Sequence, residues 1–135
     1  MSKINSRSKG CEGEREASKK ISEVLGVPAR RGQQFTGHPD APDIVVDLPG
    51  LHFEVKRTEK LSLYKAMDKA VEDAGPKVPI VMHRRSRSDW LVVLKADDMM
   101  DVACLLYRFG GLKEWRNAMY NLSRRDSCDI PSDAW

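Results

Sequence analysis

Pro42-Asp43-Ile44-Val45-Val46-Asp47-Leu48-Pro49-Gly50-Leu51-His52-Phe53-Glu54-Val55-Lys56 is the stretch on which the fold turns. The β-branched run Ile44-Val45-Val46 and the run Leu51-His52-Phe53 stand either side of Pro49-Gly50, a pattern that reads as a β-hairpin. With Pro49 and Gly50 as the two loop residues, Leu48 pairs with Leu51, Val46 with Phe53, Val45 with Glu54, and Asp43 with Lys56. Side chains alternate faces along a strand. Ile44, Val46, Leu48, Leu51, Phe53 and Val55 then make one wholly apolar face. His52, Glu54 and Lys56 share the other face with Asp43, Val45 and Asp47. Asp43, Glu54 and Lys56 thus converge on one side of the hairpin, and a one-residue slip in register would undo that convergence.

Upstream, residues 11–25 carry Ala17, Ile21, Val24 and Leu25 at helical spacing, with Gly26 as the stop. Glu12, Glu16 and Glu23 fall opposite this apolar stripe, whereas Glu14 lies in line with Ala17, Ile21 and Leu25. Glu14 is the acid of this helix that should face the sheet. Between the helix and the hairpin, residues 29–37 read as an irregular first strand and residues 37–42 as a loop.

Downstream, a second helix is expected over 61–74, capped by Ser62, ended by Gly75-Pro76 and striped by Leu63, Met67, Ala70, Val71 and Ala74. Strands over 78–82 and 90–94 follow, joined by the basic connector 84–89. A third helix starts near Asp97-Asp98 and stops at Gly110-Gly111, and a shorter one spans 112–124 with Trp115 and Tyr120 as core or dimer contacts. The order α-β-β-β-α-β-β-α-α predicts an α/β fold, one mixed sheet flanked by helices with extra helices at the C-terminal end. The crossover through the second helix should be right-handed. Residues 1–9 read as a flexible basic arm, 10–125 as a single domain and 126–135 as a loose tail.

A chain of 135 residues suits one domain and can bury a real core. No apolar run is long enough to span a membrane, and no signal-peptide pattern opens the chain. Cys11, Cys104 and Cys128 are odd in number and widely spaced, fitting neither a zinc site nor a disulfide framework. These features predict a reducing cytoplasm. Net charge is only +3, but its distribution is uneven: the first 35 residues hold eight Lys or Arg against four Glu, and residues 77–95 hold five against one Asp. Basic regions beside a set of acids suggest a polyanion held around a metal.

Taken singly, Glu14, Asp43 and Glu54 are ordinary acids of a helix surface, a turn and a strand. Taken together they need a cation. Two carboxylates about 4 Å apart repel by roughly 4 kcal/mol at an effective dielectric near 20, and Lys56 relieves only part of that. Magnesium takes oxygen ligands and keeps several waters, which suits this set, with manganese as a substitute. No imidazole or thiolate set favours zinc: His38, His52 and His83 lack metal spacing, and His52, although on the face of Glu54, is expected to be a packed or surface residue. Lys56, beside a cation, would position or help deprotonate an attacking water.

The string Pro42-Asp43, ten residues, then Glu54-Val55-Lys56 resembles the PD-(D/E)XK nuclease signature. Lys9-Gly10 followed by Glu14-Arg15-Glu16 resembles the opening helix of archaeal-type Holliday-junction resolvases. The likeness covers about residues 9–95. It implies a restriction-endonuclease-like core, α-β-β-β-α-β, and magnesium-dependent cleavage of branched DNA that leaves 5′-phosphate ends. It implies Glu14, Asp43 and Glu54 as metal ligands and Glu14, Asp43, Glu54 and Lys56 as the catalytic set. Thr36, in the loop before the aspartate, matches the small hydroxyl residue that resolvases carry there. Lys9, Arg30, Arg31, Arg84, Arg85 and Arg87 are candidate phosphate contacts, and Gln33 a candidate contact to DNA or a metal-bound water. A four-way junction has two-fold symmetry, so a homodimer is expected. Two alternatives stay open: a flap, nick or duplex-end nuclease of the same superfamily, and a nucleic-acid-binding module without catalysis.

Overall fold

The computed structural model describes residues 6–32 and 42–109. Helix α1 (Ser6–Leu25) leads to strands β1 (Ala29–Arg31), β2 (Ile44–Val46) and β3 (Leu51–Arg57). Helix α2 (Leu63–Ala74), strands β4 (Val78–Arg84) and β5 (Leu91–Val93), a 3-10 turn (Ala96–Asp98) and helix α3 (Met99–Phe109) follow. The strands form one five-stranded sheet in the order β1-β2-β3-β4-β5. β3 and β4 run parallel and the other neighbours antiparallel, so the sheet is mixed. Parallel neighbours cannot be joined by a tight turn, and α2 supplies their crossover. The fold class is α/β, a five-stranded mixed sheet flanked by helices, compatible with a restriction-endonuclease-like core.

The hairpin's apolar face forms the centre of the main core. Ile44, Leu48, Leu51 and Phe53 are buried there with Ala17 and Ile21 of α1 and Ile80 and Met82 of β4, while Val46 and Val55 pack at the rim. Val102, Leu105 and Leu106 of α3 cover the same side. On the opposite face Ala66, Met67 and Ala70 of α2 pack against Val81. Among the described strands β4 alone places buried residues in both apolar clusters, Ile80 and Met82 on one side and Val81 on the other, as period-two geometry requires. The stripe expected on α2 is rotated: Ala66, Met67, Ala70 and Ala74 are buried, while Leu63 and Val71 face solvent. Small residues let α2 lie close to the sheet, and the larger apolar side chains are left at its margins.

The register of the hairpin differs from the expected one. Ile44, not Val46, stands opposite Phe53, a shift of two residues. The loop runs over four residues, 47–50, rather than two, because Leu48 leaves the ladder and is buried in the core at 5% exposure while Gly50 turns the chain at φ 84°. An even shift preserves faces. Asp43 therefore stays on the side of Glu54 and, one residue out from the Ile44–Phe53 pair, comes opposite Glu54 instead of Lys56.

α1 begins at Ser6, inside the segment read as a flexible arm. Its first turn, Ser6-Arg7-Ser8-Lys9, is polar, so no apolar periodicity announces it. Gly13 permits the contact of this helix with β3: a Cβ there would lie 2.7 Å from the Cβ of Arg57. Gly26, at φ 66°, ends α1 by donating its N–H to the Ser22 carbonyl at 3.0 Å. Ser62 occupies the N-cap of α2, but its side chain makes no capping hydrogen bond. Gln33, Thr36, His38, the helix expected over 112–124 with Trp115 and Tyr120, and the tail 126–135 lie outside the described residues.

Candidate functional site

Asp43 is held from two sides. The Gly32 N–H donates to the Asp43 carbonyl at 2.8 Å, and a Cβ on Gly32 would meet the Pro42 carbonyl oxygen at 2.1 Å, so only glycine allows this approach. The Val55 N–H donates to Asp43 Oδ2 at 2.8 Å, which locks the carboxylate against β3. Burial pushes the Asp43 carboxyl up to about 6; the Val55 hydrogen bond opposes this, the charges of Glu54 and Glu14 add to it, and Lys56 opposes it. Burial thus disfavours the charged form of Asp43 more than the Val55 hydrogen bond favours it.

Glu54 is buried at 6% exposure. Its Oε1 accepts an ion-pair contact from Lys56 Nζ at 2.9 Å, two residues on along the same strand face. Glu14 points inward, its side chain 17% exposed, and forms an ion pair with Arg31. Glu14, Lys56 and Val55 line an open cleft of about 430 Å³ with Lys9, Gly10, Arg57, Thr58 and Glu59. The structure therefore brings Glu14, Asp43, Glu54 and Lys56 to one end of β2 and β3. It does not close the three acids to mutual ligand distance. Among the described residues, the group whose ligand atoms all lie within 4.8 Å of one another is His52, Glu54 and Asp73.

The candidate phosphate contacts divide. Lys9 lines the cleft. Arg30 is exposed on β1 and lies at a separate pocket of about 310 Å³ with Pro28, Val45 and Asp47. Arg31 is committed to Glu14, which raises its already high pKa. Arg84 is committed too: Nη1 donates to Glu16 Oε2 at 2.9 Å and Nε to the Ser88 carbonyl at 2.6 Å. Arg85 Nε donates to Ser88 Oγ at 3.0 Å, and Arg87 is exposed in the turn at φ 58°.

Three features of the site escape sequence patterning. Glu16, expected on the solvent side, is a junction: its carboxylate meets Arg84 at 2.9 Å and Arg57 Nε at 3.7 Å, tying α1 to the ends of β3 and β4. A pocket of about 310 Å³ beside Lys56 is lined by Lys60, Lys65 and Lys69 together with Thr58 and Ser62. Asp73 of α2 reaches Glu54 and His52. The cue for the lysines was available, since Lys65 and Lys69 are one turn apart on α2. Nothing in the spacing links Asp73 to a strand about 20 residues earlier.

Burial lowers the pKa of His52, with Glu54 and Asp73 acting in the other direction. His83 Nε2 lies 2.9 Å from the Thr58 carbonyl oxygen. Cys11 and Cys104 are free thiols. No described helix is long and apolar enough to cross a membrane. The chain matches no family model, no curated protein and no solved structure.

Proposed function

We propose that this chain is a magnesium-dependent DNA endonuclease that hydrolyses phosphodiester bonds, selective for branched DNA in the manner of the Holliday-junction resolvases it resembles. One observation carries the reading: Asp43 comes opposite Glu54, with Lys56 at 2.9 Å from Glu54, at an end of the sheet where Glu14 enters from α1. The oxygen-only set Glu14, Asp43 and Glu54 suits a hard cation. Because magnesium keeps several of its waters, carboxylates wider apart than direct ligation requires still hold it, some through water. Burial, and to a lesser degree the charges of Glu54 and Glu14, disfavour the ionised Asp43, and a bound cation would favour it.

When bound, the metal would acidify its water and neutralise charge on the phosphate. The protein's share is to hold Asp43 and Glu54 in register, to keep Glu14 inward, and to present the Lys56 ammonium to the attacking water. Lys9 on one side and Lys60, Lys65 and Lys69 on the other would grip the backbone. A dimer would match the two-fold symmetry of a junction. The free thiols accord with a reducing cytoplasm.

Purified protein incubated with four-way, nicked and linear DNA is expected to cut the branched substrate with magnesium or manganese and not with EDTA. Paired, symmetric nicks across the junction support the resolvase; cuts at flaps, nicks or ends support a related nuclease. A folded sample that binds DNA but cuts none of these substrates with either metal overturns the proposal.

A further inference from the structure

The face of the sheet beneath α2 carries a cluster of which the nuclease reading uses only Glu54. His52 is 3% exposed on β3, Glu54 lies two residues further along the same face, and Asp73 comes down from the last turns of α2. One ring nitrogen of His52 and one oxygen from each acid lie within 4.8 Å of one another. The His52 Nε2 is buried and has no hydrogen-bond partner among the described residues. A buried imidazole nitrogen without a partner is uncommon, because the loss of its hydrogen bond to water goes uncompensated.

We propose that His52, Glu54 and Asp73 form a binding site for a first-row transition-metal dication of the zinc type, distinct from the magnesium set and sharing only Glu54 with it. The donor set decides the class of ion. One imidazole with two carboxylates suits zinc and its neighbours, whereas magnesium prefers oxygen alone. Donors about 2.1 Å from one ion lie roughly 3.4 Å apart in tetrahedral geometry, so the cluster needs only a modest contraction. Three protein donors leave at least one position for water.

Each acid already meets a lysine: Lys56 Nζ is 2.9 Å from Glu54 Oε1, and Lys69 pairs with Asp73 Oδ2. A carboxylate has two oxygens and about four lone-pair sites, so each acid keeps capacity for a metal. The Lys69 side chain is 52% exposed and the Lys56 side chain 30%, so both ammonium groups can swing into solvent as a dication enters.

The test is isothermal titration of the folded protein with zinc alone, then with magnesium alone, in the absence of DNA. One zinc ion per chain is expected, bound far more tightly than magnesium. Asp73→Asn, at a position of 12% side-chain exposure, should weaken zinc at least ~10-fold, as should His52→Gln, while Glu14→Gln should leave it within about twofold. Asp73→Asn decides the matter if His52→Gln does not fold. Zinc bound equally by Asp73→Asn, as it would be at the free thiols, overturns the site; so does the absence of zinc binding by the folded wild-type chain, or a loss confined to Glu14→Gln. Because no DNA is cut in this experiment, its failure leaves the nuclease reading standing, and a chain that cleaves nothing can still bind zinc here.

Discussion

Asp43 is the residue at which stability and the proposed chemistry pull against each other. Its carboxyl is raised from 3.8 to about 6, chiefly by burial, so the folded protein holds that proton more tightly than the unfolded chain does. The contribution of this carboxyl to stability is therefore greatest below about pH 4, falls as pH rises toward 6, and stays lower above it. Asn at this position keeps an oxygen that can accept the Val55 N–H but carries no charge. Asp43→Asn is expected to stabilise the fold at pH 8 by up to about 3 kcal/mol, and to make little difference at pH 4. Urea unfolding at the two pH values measures this, and a variant less stable than wild type at pH 8 would show that the charge is already compensated. Cleavage should disappear in the same variant while DNA binding survives.

At the scale of elements, the seating of α1 on the sheet matters most, because it delivers Glu14 to the end of β3. Two devices set it. Glu16 ties the helix to Arg57 and Arg84, and Gly13 lets the helix backbone come close to Arg57. In an exposed helix, glycine to alanine gains about 1 kcal/mol. Here the added methyl would sit 2.7 Å from the Arg57 Cβ, so α1 or β3 must shift. Gly13→Ala is expected to cost roughly 1–3 kcal/mol and to lower the melting temperature. A rise in melting temperature would mean that the helix has room to ride farther from the sheet. The α2 crossover plays the matching part on the other face, carrying Lys65, Lys69 and Asp73 over β3.

For the whole molecule, net charge is a poor guide to how it would meet a polyanion. The chain carries +3 overall, yet four lysines, Lys56, Lys60, Lys65 and Lys69, line one pocket next to the acids. Lys56 and Lys69 each neutralise an acid, whereas Lys60 and Lys65 are exposed and take no part in those two pairs. Replacing both Lys60 and Lys65 by alanine should weaken DNA binding evenly across sequences. It should also reduce the slope of log K against log salt by about 2, one for each phosphate that is no longer neutralised. A slope unchanged in filter-binding or anisotropy titrations over a range of salt would place the DNA path elsewhere.

The order of elements as far as α3, the apolar face of the hairpin, the ends of α1 at Gly26 and α2 at Gly75, and the shared face of Asp43 and Glu54 were all legible along the chain. They are local: periods of two and 3.6 residues and the backbone needs of glycine and proline act over a few neighbours. Even the misread loop kept its faces, because Leu48 shifted the register by an even number. What the chain order left open was every pairing across layers. Arg31 could have met phosphate or Glu14, and Glu16 solvent or Arg84. His52 acquired Asp73 only when α2 crossed over β3. Such contacts depend on how helices settle on a twisted sheet and on which charges burial forces to find partners, and neither is written in the spacing of residues along one strand or helix.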